Sequence, residues 1–287
     1  MGMKFNYFFI IIALLFSCKN EEKSKKEKVE TKFVVNNKFQ EILDVTKLEG
    51  AILVYDLHKD VYYSNNFDWC KTGSLPASTF KIPNSIIALE TGVVKNDSVI
   101  FKWNGESRPL KVWEQDLTFK EAFHYSCVPC YQEVARKIGV ERMKSNLAKL
   151  NFGSMNVNET TLDNFWLEGK SKINQFEQVD FLKRLYNSEL FISKRTDSIV
   201  KKMMIMSKNN QYVLRGKTGW SVKGKENNGW FVGYVLVKNN AYFFATNVVP
   251  KKNFNMEFFS NERKEVTFKA LKELKILREN ELFVTKK

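Results

Sequence analysis

Apolar residues recur in two rhythms along this chain, and the change from one to the other outlines the fold. Ala51-Ile52-Leu53-Val54-Tyr55 and Val61-Tyr62-Tyr63 are short aliphatic and aromatic runs parted by the polar stretch Leu57-His58-Lys59-Asp60, which predicts a hairpin. A second hairpin is predicted where Gly229-Trp230-Phe231-Val232-Gly233-Tyr234-Val235-Leu236-Val237 and Ala241-Tyr242-Phe243-Phe244-Ala245-Thr246 flank Lys238-Asn239-Asn240, a turn that tolerates positive φ. Between them the period lengthens. Val134, Ile138, Met143, Leu147 and Leu150 recur at helical spacing, as do Phe181 and Leu185, and then Val200, Met203 and Met204. A last helix is predicted from about Asn261 to Ile276, with Val266, Leu271 and Leu274 on one side. The fold class expected is therefore α/β (α+β): an antiparallel sheet built from N- and C-terminal strands, flanked by helices, with a mostly helical middle region.

The first residues follow neither rhythm. Lys4 precedes the apolar stretch Phe8-Phe9-Ile10-Ile11-Ile12-Ala13-Leu14-Leu15-Phe16, too short for an ordinary spanning helix and suited to a signal-peptide core. It ends at Leu15-Phe16-Ser17-Cys18, a small residue before a cysteine, as in a bacterial lipobox. Residues 1–18 are thus read as a signal peptide whose Cys18 is lipidated and becomes the mature N-terminus; an ordinary signal peptide cut nearby is the alternative. Residues 19–32 carry almost nothing to bury and read as a charged tether. The working domain, 33–287, is expected outside the cytoplasm: exported across the inner membrane, periplasmic, and held to a membrane through the lipid on Cys18.

Composition narrows the class. The 287 residues are 44% hydrophobic and 14% aromatic, ample for a large buried core. A net charge of +14 raises nucleic acid as a partner, but the basic residues are scattered among acids. There is no cationic block, zinc-finger spacing or RNA-binding aromatic signature, so a solvated basic surface and no nucleic-acid partner are expected. Cys70, Cys127 and Cys130 remain. A zinc site at the Cys-x-x-Cys pair would have only His58 and His124 to complete it, so core thiols or one disulfide are expected rather than a metal.

Candidate chemistry starts at Leu75-Pro76-Ala77-Ser78-Thr79-Phe80-Lys81-Ile82-Pro83, where a hydroxyl stands three residues before a lysine. On a helix those two residues share a face, so Lys81 can serve as the base for Ser78. No Gly-x-Ser-x-Gly elbow is present, and the two histidines sit in contexts that suggest no triad. A lysine of ordinary pKa is almost wholly protonated at pH 7; keeping its amine neutral costs about 4.6 kcal/mol, within reach of full burial. Phe80, Ile82, Ile86 and Ile87 supply a dry surrounding. The spacing alone is weak, because serine and lysine are common. Ser126-Cys127-Val128, about fifty residues later, and Lys217-Thr218-Gly219-Trp220 strengthen it, since the three motifs occur in the order used by penicillin-recognising serine enzymes.

From about Phe39 to Leu277 the chain closely resembles the class D β-lactamases, the oxacillinases. The resemblance rests on Leu75 to Asn84, Leu89-Glu90-Thr91-Gly92-Val93, Ser126-Cys127-Val128-Pro129, Phe165-Trp166-Leu167-Glu168-Gly169 and Lys217-Thr218-Gly219-Trp220. It implies a β-lactamase/transpeptidase-like fold over 33–287 and hydrolysis of β-lactam antibiotics through an acyl-ester on Ser78. It also implies that carbon dioxide or bicarbonate carboxylates Lys81, making a general base without any metal. Trp166 would donate to that carbamate, with Val128 and Leu167 keeping the site apolar. Ser126 would relay a proton to the lactam nitrogen with help from Lys217. Thr218 and Arg263 would hold the substrate carboxylate, and the N–H groups of Ser78 and Trp220, on the strand past Gly219, would form an oxyanion hole. The family's Tyr-Gly-Asn position reads Phe152-Gly153-Ser154 here, and Arg263 has Lys264 as a one-residue alternative. The rival readings are a penicillin sensor that stays acylated and a cell-wall peptidase. Such a sensor attaches to several membrane helices, whereas this sequence has one N-terminal apolar segment, and a peptidase would lack the Phe165-to-Gly169 element.

Overall fold

In a computed structural model of the chain, residues 1–2, 30–224 and 226–278 are described. The signal segment with Cys18, and the tether through residue 29, lie outside the described residues. The elements run β1 (Lys32–Val35), α1 (Asn37–Val45), β2 (Leu48–Asp56), β3 (Val61–Ser64), α2 (Phe67–Lys71), a 3-10 turn (Ala77–Phe80) and α3 (Lys81–Glu90). There follow β4 (Ile100–Phe101), β5 (Leu117–Thr118), α4 (Phe119–His124), α5 (Val128–Ile138), α6 (Val140–Leu150), α7 (Gln175–Tyr186) and α8 (Lys194–Met203). The chain closes with β6 (Ile205–Lys208), β7 (Tyr212–Lys223), β8 (Glu226–Val237), β9 (Asn240–Pro250) and α9 (Phe259–Glu273).

Seven strands form one sheet in the order β1-β3-β2-β9-β8-β7-β6, so both predicted hairpins join a single layer through the β2/β9 pair. Burial on both faces explains why β2, β8 and β9 read as nearly unbroken apolar runs. Along β2, Ala51, Leu53 and Tyr55 face the helical core with α3 and α5, while Ile52 and Val54 face the α1/α9 side. β8 divides the same way, Trp230, Val232 and Tyr234 against Phe231 and Val235. Each strand therefore ties two cores together.

Two expectations need correction. The sheet is not wholly antiparallel, because β1 pairs with β3 in parallel, Lys32 opposite Val61. β1 also starts inside the segment read as tether; its four residues are all exposed on an edge, so no burial alternation marks it. The helical run from Val134 to Leu150 is two helices, parted at Gly139, whose φ of +77° belongs to the left-handed region. Gly92, with φ +71°, stops α3 in the same way, and the N–H of Val94 returns to the carbonyl of Ala88.

Candidate active site

Ser78 lies in the 3-10 turn and Lys81 is the first residue of α3, so the pair straddles a helix junction rather than sitting within one α-helix. Three residues per turn in a 3-10 helix stack i over i+3, which suits the pair better still. The Lys81 Nζ is 3.1 Å from the Ser78 Oγ. Pro83 is tolerated because it falls in the first turn of α3, where a backbone donor is not needed. The turn is anchored at its base: Trp230 Nε1 and Asn228 Nδ2 donate to the carbonyl of Leu75 at 2.8 and 2.9 Å, and Ala77, at φ +50°, donates its N–H to the Trp166 carbonyl at 2.8 Å.

Lys81 is wholly buried, and that burial pushes its amine down to about 7. Its Nζ stands 5.0 Å from the centre of the Tyr131 ring. Ser85 donates to the Lys81 carbonyl and accepts from the Tyr131 hydroxyl, both at 2.7 Å, which locks the first turn of α3 to α5. Neither Ser85 nor Tyr131 carries a motif in the sequence. The Asn84 amide is also fully buried, with no partner for either of its polar atoms among the described residues; only its place in the apolar run Ile82 to Ile86 marks it.

Lys217 comes from β7, and its Nζ donates to the Ser126 Oγ and, at 3.1 Å, to the Thr218 carbonyl. Burial, then the charges of Lys81 and Arg263, hold its pKa well below the usual lysine value. Ser126, between α4 and α5, has φ +55°, a left-handed conformation costing about 1–2 kcal/mol in a residue with a side chain. The next residue, Cys127, is joined by a disulfide to Cys130, while Cys70 is a buried free thiol. Val128 is half-buried at the head of α5.

Gly219 lets β7 run against the nucleophile's turn. A Cβ there would stand 3.0 Å from the Pro76 carbonyl oxygen and 3.1 Å from Thr79 Cγ2. Thr218 and Trp220 flank that contact, Thr218 half-buried and Trp220 exposed. Arg263 rather than Lys264 reaches this strand: it is buried in α9, donates from Nη1 to the Gly219 carbonyl and lies 5.6 Å from the Trp220 ring. Burial pushes its guanidinium down to about 10.

Trp166 is fully buried in the connection between α6 and α7, stacked on Phe80 at 5.5 Å, and its indole N–H has no partner among the described residues. Leu167 beside it is half-buried against the same core. Phe152 fills the back of this wall, edge-on to Phe80 and Phe181, and Ser154 exchanges two backbone hydrogen bonds with Lys172. Among the described residues, no ion pair joins Lys81, Lys217 or Arg263 to an acid, and no group of three or more His, Cys, Asp or Glu side chains could hold a metal.

Residues 31–272 match the family "Penicillin binding protein transpeptidase domain". The β-lactamase OXA-48 of Klebsiella pneumoniae is 38% identical over 231 residues, 80% of this chain and 85% of that protein. The chain belongs to the class D serine β-lactamases. The β-lactamase OXA-10 of Pseudomonas aeruginosa is 45% identical over 177 residues, 61% of this chain and 66% of its own. Among solved structures, a class D β-lactamase from Sebaldella termitidis superposes with a TM-score of 0.82 at 38% identity, covering 87% of this chain and all of its own. A class D enzyme from Nostoc gives 0.79 at 41%, covering 85% of this chain and all of its own. In this class D fold, Ser78, Lys81, Ser126 and Lys217 are brought together from three separate parts of the chain, with Trp166 and Arg263 built into the surrounding walls.

Proposed function

We propose that this enzyme hydrolyses β-lactams with Lys81 in its carboxylated form. The observation that carries the reading is the buried indole N–H of Trp166, without a partner among the described residues and packed on the segment that holds Lys81, whose amine burial pushes down to about 7. A buried donor without an acceptor is costly, and an anionic oxygen on Lys81 would supply one. The absence of an acid opposite the three basic groups, among the described residues, favours the same addition. Carbon dioxide reacts with the neutral amine, and the resulting carbamate supplies a base for the Ser78 proton and for the deacylating water.

The rest of the reading belongs to the chain's own groups. Ser78 attacks the lactam carbonyl, and the N–H groups of Ser78 and Trp220 bind the developing oxyanion, worth about 2.7–4 kcal/mol per donor. Ser126 hands its proton to the departing nitrogen and is reprotonated by Lys217. Thr218 and Arg263 take the substrate carboxylate; the two protein hydrogen bonds found on Arg263 use two of its five donors. That carboxylate stabilises the charge of Lys217 during the relay. Val128 and Leu167 keep the surroundings of the base apolar. Export and lipid anchoring through Cys18 remain part of the proposal, on the form of the signal segment.

Steady-state hydrolysis of a chromogenic cephalosporin, with and without bicarbonate, tests this against Ser78→Ala. Sustained turnover that bicarbonate raises, and that vanishes in Ser78→Ala, is expected. A burst of one equivalent without turnover would instead mark a penicillin sensor or a transpeptidase-like enzyme. Turnover indifferent to bicarbonate after removal of carbon dioxide would overturn the carbamate.

A further inference from the structure

Ser126 has an unusual backbone for a residue that must present a hydroxyl, and the sequence on its C-terminal side is covalently closed. Its φ of +55° is a conformation that residues with side chains rarely hold without help. On one side, the N–H groups of Ser126 and Cys127 return to the carbonyls of Phe123 and Ala122 at 3.2 and 2.9 Å, fixing the exit from α4. On the other side, the Cys127–Cys130 disulfide, with Cα atoms 5.4 Å apart, encloses Val128 and Pro129. Two of the groups assigned to the site, Ser126 and Val128, thus abut or lie inside one small covalent ring.

Cys127 is also the N-cap of α5, a position that Ser, Thr, Asp or Asn ordinarily fills with a side-chain oxygen. Its sulfur is a weak acceptor for the Cys130 N–H at 3.2 Å, so the covalent bond takes over what an oxygen cap does elsewhere. A bridge over so few residues restrains the unfolded chain far less than one closing a long loop, which leaves local geometry as its main effect. A role in thiol exchange is disfavoured, since Cys127 is 0% and Cys130 3% exposed, whereas reactive Cys-x-x-Cys pairs are reachable from solvent.

We propose that the Cys127–Cys130 disulfide is a positioning device for Ser126, holding its left-handed backbone so that the hydroxyl meets Lys217 and proton delivery to the lactam nitrogen keeps pace with Ser78 attack. The proposal rests on the reading of Ser126 as the proton relay. It predicts a selective defect. The nitrogen of a penicillin leaves as a poor amine and needs the proton, whereas that of a cephalosporin is conjugated with the ring double bond and leaves with less help.

The test compares kcat and KM for benzylpenicillin and a chromogenic cephalosporin in the full chain, in Cys127→Ala/Cys130→Ala, and in Cys127→Ser/Cys130→Ala, which restores an oxygen cap without the covalent ring. Circular dichroism and thermal melting report folding. In both double variants kcat/KM for the penicillin is expected to fall tenfold or more, and that for the cephalosporin severalfold less. The same unsubstituted chain, purified with both thiols reduced and then oxidised, reads the same ratio should the alanine pair fail to fold. Equal losses on the two substrates, no loss, or full activity in the serine-capped variant would overturn the proposal. Ser126→Ala in the disulfide-intact chain separates the two ideas: if it leaves the penicillin-to-cephalosporin ratio unchanged, the relay reading itself fails.

Discussion

Lys81 derives its chemistry from full burial of an amine that no acid pairs with among the described residues. Because its folded value is about 7, against 10.5 in the open chain, the unfolded protein binds the proton more readily between those two pH values. Stability of protein stripped of carbon dioxide should therefore rise with pH across that window, by melting temperature, and the rise should be smaller in Lys81→Ala, where the depressed Lys217 still contributes its part. The proposed carbamate follows the same sign: below pH 7 the amine is mostly protonated and cannot react, so bicarbonate-poor activity should fall as pH drops through about 7. Trp166→Phe removes the unpaired donor, and hydrolysis should then fall tenfold or more in air-equilibrated buffer and recover in added bicarbonate. Ser78, Lys81, Ser126 and Lys217 were legible in sequence because their spacing is local or forms an ordered set, and Trp166 came only with the family resemblance. Asn84, Ser85 and Tyr131 were not, since a buried hydroxyl or amide is recognised only by what lies opposite it.

At the level of elements, the site depends on β7 passing close to a 3-10 turn. Gly219→Ala should crowd Pro76 and Thr79, which must give by a few tenths of an ångström, so kcat/KM is expected to fall severalfold, short of the roughly 10²-fold that a 1 Å misplacement can cost, with only a modest change in melting temperature. Gly233→Ala makes the opposite separation. A Cβ there would meet the Arg215 carbonyl oxygen at 2.1 Å inside the β7/β8 ladder, so the expected effect is loss of folding stability by several kcal/mol. The two predicted hairpins were legible because apolar or aromatic runs flank a short polar turn in each. β1 was not, being an exposed edge, and the break at Gly139 was masked by apolar residues continuing in phase on both sides.

Across the domain, the sheet unites strands from residues 32–64 with strands from residues 205–250, while the helical layer brings the nucleophile, its base and the Trp166 wall to one side of β7. The basic excess of the chain is largely peripheral to this, but the three buried basic side chains of the site are not. The proposed anchoring through Cys18 belongs to this scale as well: if it holds, Cys18→Ala should move the protein from the membrane to the soluble fraction with hydrolysis unchanged. The fold converges on one property, a lysine kept dry and neutral beside a serine. Carbon-13 NMR of the enzyme in labelled bicarbonate addresses it most directly. The account predicts one protein-bound carbamate signal that rises in step with hydrolysis as bicarbonate is added and is missing in Lys81→Ala; full turnover by an enzyme showing no such signal would contradict it.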